Sequence, residues 1–100
     1  MALTPFASEI LAVSTSAITL TASVYNPTGA QKATRAYITT TTNPIRYWLD
    51  GSTPTTGASG EGHEEFSSRM GVVLTSNAAI SNFKAIRKTS DTTIYVTYYR

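Results

Sequence analysis

A chain of 100 residues with a formal net charge of +2, 41% hydrophobic and 14% charged side chains is one small globular domain with a single core. Charged residues fall well below the usual quarter, and serine and threonine take their place, so the surface is expected to be hydroxyl-rich. The cations Lys32, Arg35, Arg46, Arg69, Lys84, Arg87, Lys88 and Arg100 are scattered. Only Lys84, Arg87 and Lys88 lie close together, which a solvated strand end explains, so no nucleic-acid footprint is expected.

The absence of cysteine excludes a disulfide framework and thiolate metal sites. Met1 to Glu9 has no basic region ahead of its apolar residues, and no stretch approaches the run of about eighteen that a spanning helix needs. No membrane partner is expected, and the protein should remain soluble.

In chain order, Pro5 to Val13 reads as a turn of helix with poor caps or as an extended arm, with residues 1–12 as a possible N-terminal arm of the single domain 1–100. Ile18, Leu20, Ala22 and Val24 alternate with Thr19, Thr21, Ser23 and Tyr25, which predicts one strand through Tyr25. Asn26-Pro27-Thr28-Gly29 then makes a turn, since proline fixes φ and has no amide for a continuing ladder. A second strand is predicted over Thr34 to Thr41, ended by Asn43-Pro44, and a third over Ile45 to Leu49. In the third, Ile45, Tyr47 and Leu49 share one face and Arg46, Trp48 and Asp50 the other. Trp48 is open to two readings: cover for the rim of a second sheet or an arginine stem, or an interface anchor.

The segment from Asp50 to Gly60 reads as a long polar turn, with Gly57, Gly60 and Gly62 supplying flexibility. Val72 to Leu74 and the run of Ile80 with Phe83, Ala85 and Ile86 predict two more strands. After Thr89-Ser90-Asp91, Ile94, Val96 and Tyr98 alternate with Thr93, Tyr95, Thr97 and Tyr99 in a last strand. Six to eight short strands predict an all-β fold, a compact antiparallel sandwich or jelly-roll-like barrel.

Candidate chemistry is thin. Glu61-Gly62-His63-Glu64-Glu65 contains ligand types for a divalent ion, but neighbouring residues of one loop make a poorly preorganised first shell and no second histidine exists. No serine lies in a Gly-x-Ser-x-Gly elbow, and a triad would need His63 with Asp50 or Asp91. The three glycines lack the lysine and helix of a phosphate-binding loop. No catalytic residue, metal or cofactor is assigned, and a binding role without catalysis is expected.

Ala36-Tyr37-Ile38-Thr39, Ile45-Arg46-Tyr47-Trp48-Leu49-Asp50-Gly51 with Pro54-Thr55, Ile80-Ser81-Asn82-Phe83-Lys84-Ala85-Ile86-Arg87 and the closing Tyr95-Val96-Thr97-Tyr98-Tyr99 together resemble small virion proteins of tailed bacteriophages. The resemblance runs from Ala33 onward; the first thirty residues carry no matching motif. It implies a compact β-sandwich acting as a head decoration or cement protein, made in the host cytoplasm and placed on the capsid exterior, with the major capsid protein as partner. Gaps between capsomers at three-fold positions suit a homotrimer. The interface candidates are Phe6, Ile10, Arg46, Trp48, Tyr95 and Tyr99, with Tyr47 and Tyr98 as further large side chains and an arm around Leu3, Phe6, Ile10 and Leu11 adding a strand to the shell. The competing readings are a carbohydrate- or receptor-binding module using Trp48 and the Asp50 to Gly60 loop, and a head-to-tail or tail-tube component forming a hexameric ring.

Overall fold

In a computed structural model, which describes residues 3–29, 31–57, 59–66 and 71–100, the chain forms two antiparallel sheets packed face to face. Met1 and Ala2 of the expected arm, Ala58 of the loop and the cation Arg69 lie outside the described residues. The elements are β1 (Pro5–Val13), β2 (Ile18–Thr19), α1 (Ala22–Tyr25), β3 (Arg35–Thr40), β4 (Ile45–Trp48), β5 (His63–Glu65), β6 (Val72–Leu74), α2 (Asn77–Asn82), β7 (Lys84–Arg87) and β8 (Thr92–Tyr99). The first sheet has the order β1-β8-β3-β6 and the second β2-β7-β4-β5. This is the all-β sandwich expected from the alternating runs.

The core lies between the sheets. Ile38, Ile94, Val96 and Tyr98 come from the first sheet, Ile45 and Ala85 from the second, and Ile80 and Phe83 from α2 and its end; none is more than 1% exposed. Tyr98 packs against Tyr25 with ring centroids 5.9 Å apart, and Phe83 stacks on Tyr47 at 5.5 Å. Each fully buried large apolar side chain contributes about 1.5–3 kcal/mol through water release.

The N-terminal segment is extended, but it is not a free arm: β1 pairs with β8 from Pro5↔Tyr99 to Val13↔Thr92. A register shift between Pro5 and Ala7 is a bulge, and it lets Phe6 as well as Ala7 reach the core, while the Arg100 guanidinium covers the Phe6 ring at 4.4 Å. Beyond the bulge, Leu11 and Val13 face the core and Ser8, Ile10 and Ala12 face outward.

The strand predicted through Tyr25 is cut short. Only Ile18 and Thr19 pair, with Ala85 and Lys84, and the chain then turns into α1. Glu9 takes both the amide and the hydroxyl of Thr21, at 3.2 and 2.6 Å, and the Thr21 carbonyl accepts from Val24 and Tyr25. The turn drives Tyr25 inward, where 94% of its surface is lost, although the alternation had placed it on the exposed face. Burial of an aromatic ring against Tyr98 outweighs the local strand preference. Glu9 also accepts from the Tyr98 hydroxyl, so one carboxylate ties β1, α1 and β8 together. Burial and that hydrogen bond push the Tyr98 phenol upward.

Ile80 likewise sits in a helix and not in a strand. The Ser76 hydroxyl accepts from the Ala79 amide at 3.1 Å and caps α2, a signal outranked at sequence level by the short apolar run that follows. Ser76→Ala is expected to cost about 1 kcal/mol, read as a shift in the urea midpoint without a change in slope.

Candidate functional surfaces

Two features of the surface stand out, one on each sheet. The outer face of the first sheet is built from rows across the strands: Ile10, Tyr95 and Thr39 form one, and Ser8, Thr97, Tyr37 and Val73 the next. Ile10 is 70% exposed, Val73 57% and Tyr95 52%, and Tyr37 and Leu3 are also exposed. Among the described residues of these strands the alternation points no carboxylate outward and only one cation, Arg35. Tyr99 borders a hollow of about 200 Å³ that it shares with Leu3, Arg35, Tyr37 and Val73. Exposed aromatic and aliphatic side chains among serine and threonine, with one cation and no carboxylate, spread over four strands, have a composition closer to an interface than to ordinary solvated surface. The strand β1 is moreover an edge of nine residues, with no strand paired on the side away from β8 among the described residues.

The second sheet is covered differently. Arg46 and Trp48 point away from the core on β4, and the chain after Trp48 folds back over them, leaving Arg46 only 2% exposed. Its Nε donates to Glu64 Oε2 at 3.2 Å; its Nη1 donates to the Thr55 carbonyl at 3.0 Å and to the Gly57 carbonyl. Lys88 Nζ holds the other oxygen of Glu64 at 3.0 Å. Ile86, opposite Arg46 in register, is buried as well.

The described residues of the loop are therefore tied down on both sides of residue 58. Thr55 and Glu61 are bridged by two hydrogen bonds of 3.0 and 2.7 Å, and Gly57 and Thr56 both donate to the Lys88 carbonyl. A methyl group at Gly60 would overlap Arg46 Nη1 and the Thr55 carbonyl. Gly57 has φ of +94°, which disfavours any side chain. The glycines expected to supply flexibility are the residues that allow the chain to close on a buried guanidinium.

Between this loop and β4 lies a cleft of about 300 Å³ lined by Trp48, Asp50, Ser52, Thr53, Thr55 and Glu61. The Trp48 indole meets His63 edge-on at 5.2 Å, and His63 also lies 5.6 Å from the Tyr47 ring. Asp50 accepts from the Ser52 amide at 3.0 Å, which holds its carboxyl below the ordinary value of 3.8.

The expected interface residues separate into groups. Ile10 and Tyr95 stand together on the first sheet's outer face, with Tyr99 at its margin, while Phe6 packs against the core. Trp48 lies on the opposite sheet, and Arg46 is buried behind the loop. Tyr98 is a core residue. Along β5, Glu64 reaches Arg46 and Lys88, His63 lies against the Tyr47 and Trp48 rings and Glu65 is buried, and no group of three or more metal-ligating side chains comes together among the described residues. No helix among them is long and apolar enough to cross a membrane.

Charge interactions at the loop carry a pH dependence. The hydrogen bond from Lys88, opposed by desolvation and joined by Arg46, holds Glu64 below its ordinary 4.5, and hydrogen bonds from Arg87 and Ser14 hold Asp91 below 3.8. Depressed folded-state values stabilise above the unfolded values, and the contribution is lost as pH falls through the folded ones. Stability should be flat from neutral to about pH 5 and decline below it, less steeply in Glu64→Gln, as urea unfolding at stepped pH will report.

No protein-family model, curated protein or solved structure matches the chain.

Proposed function

We propose that the chain is a decoration protein of a tailed-phage capsid, binding the major capsid protein on the outer shell as a homotrimer and stabilising the head without catalysis. The observation that carries the reading is the outer face of the first sheet, free of carboxylates and with Arg35 its one cation among the described residues, where Ile10, Tyr37, Val73 and Tyr95 are exposed together on adjacent strands. A folded protein that keeps such a face in water gains by burying it, and rows spread over four strands suit another protein surface better than a small ligand. The resemblance of the segments from Ala36 to Tyr99 to small virion proteins points the same way. A trimer presents three copies of the face around one axis, matching the symmetry of a capsid three-fold position.

The test is to incubate purified protein with expanded capsids that lack it, sediment the shells and count bound copies. Three copies per three-fold position is the expected occupancy. An absence of binding, together with a hexameric ring in solution, would replace this reading with a tail component.

A further inference from the structure

We propose that the cleft between Trp48 and the Asp50–Glu61 loop is a binding site for an uncharged saccharide, with a pyranose ring lying against the indole and its hydroxyls donating to the Asp50 and Glu61 carboxylates. The inference does not rest on the capsid reading, because the cleft belongs to the second sheet and the proposed docking face to the first.

Three observations converge on it. The first is the lining: one large aromatic, two carboxylates and three hydroxyl-bearing residues, in a hollow of about 300 Å³. Apolar C–H groups on one side of a sugar ring suit an aromatic surface, and its hydroxyl groups suit acceptors fixed at the rim. Lys84 neighbours Trp48 across the strand pair but does not line the cleft, so the lining itself carries only negative charge. An acidic sugar would be repelled.

The second is preorganisation. A buried arginine, two loop carbonyls directed at it, a glycine with no room for a methyl group and another at positive φ hold the described residues that line the cleft. Such a construction is costly compared with a short hairpin, and it yields a cleft whose walls need no ordering when a ligand arrives.

The third is the state of the carboxylates. Asp50 is fixed by the Ser52 amide and Glu61 by its own amide donating to the Thr55 hydroxyl, so the backbone carrying both acceptors is held. Both groups have oxygens left to accept from a ligand, since a carboxylate offers about four acceptor positions. Hydrogen bonds to charged acceptors are the stronger kind.

Trp48 is the chain's one tryptophan, so its fluorescence reports the cleft alone. The experiment titrates the intact protein with glucose, galactose, N-acetylglucosamine and their β-linked disaccharides, with choline and N-acetylneuraminic acid as charged probes. A saturable change with at least one neutral sugar is expected, with Kd on the order of millimolar for a single ring. Asp50→Asn and Glu61→Gln keep the shape of each side chain and should each weaken binding about tenfold. Ile10→Asp, on the other sheet, should leave it unchanged. No saturable change with any neutral sugar, a response to choline or N-acetylneuraminic acid alone, or binding that survives both carboxylate substitutions would overturn the proposal. Capsid binding is scored separately in the same variants, so failure of either assignment is visible without the other.

Discussion

Arg46→Ala is expected to lower the unfolding free energy by about 3 kcal/mol, a fall in Tm of roughly 12–24 °C for a domain of this size. The loss has three sources. The Thr55 and Gly57 carbonyls lose their shared donor, Glu64 keeps only Lys88, and the buried space that the side chain fills empties. The value sits at the lower end for a broken buried pair because Glu64 retains 32% of its side-chain exposure and can be solvated. Arg46→Met, which keeps the apolar stem and removes the donors, should recover little of the loss. Arg46→Lys should also fail, since one ammonium cannot replace Nε and Nη1 aimed at separate partners. Recovery of most of the stability by methionine would mean that the stem, and not its hydrogen bonds, holds the loop.

Gly60→Ala is expected to cost about 2–3 kcal/mol, because the added methyl group would meet Arg46 Nη1 and the Thr55 carbonyl and the loop would have to move. Here the two substitutions are coupled. In an Arg46→Ala background one of the two overlaps disappears, so Gly60→Ala should cost at least about 1 kcal/mol less there than in the native chain. Chemical denaturation of the four proteins of this cycle measures the difference. Additive costs would show that Gly60 and Arg46 act independently and would remove the account of the loop as a closure on the guanidinium.

The strands easiest to read in the sequence were those with one wet and one buried face. β3, β4 and β8 appear close to where Thr34 to Thr41, Ile45 to Leu49 and the run to Tyr99 placed them, because period-two alternation is a direct record of a sandwich strand. Ile18 to Tyr25 carried the same record and misled, since the carboxylate that turns the chain at Thr21 comes from Glu9 on another strand. Such a contact leaves no local trace. Ile80 was hidden for a different reason: α2 is six residues long, too short for a 3.6-residue period to emerge, and only the Ser76 cap announces it.

The surfaces were legible in part. Ile10, Tyr95 and Trp48 were picked out as large side chains with a potential interface role, yet their distribution over two sheets follows from registers that no single strand encodes. Tyr37 and Val73 complete the first face, and the signal for both was present in the alternation of β3 and β6. Arg46 reads in the sequence as an interface candidate beside Trp48, because alternation points both away from the face of Ile45 and Tyr47. Its burial depends on a loop folding back, for which Pro54, itself buried, and the spacing of Gly57, Gly60 and Gly62 were the available clues.

Co-sedimentation of the Ile10→Asp, Tyr95→Asp double variant with capsids that lack the protein, beside the native chain, decides whether the outer face of the first sheet is the docking surface. Both positions are exposed, and the two carboxylates, opposite one another in register, repel by an amount of about 1 kcal/mol, so the variant should fold with its Tm lowered by several degrees. Bound copies of the native chain at three per three-fold position, and a loss of affinity of about a hundredfold or more in the variant, are the predicted result. Equal occupancy by the folded variant would move the docking surface elsewhere on the molecule.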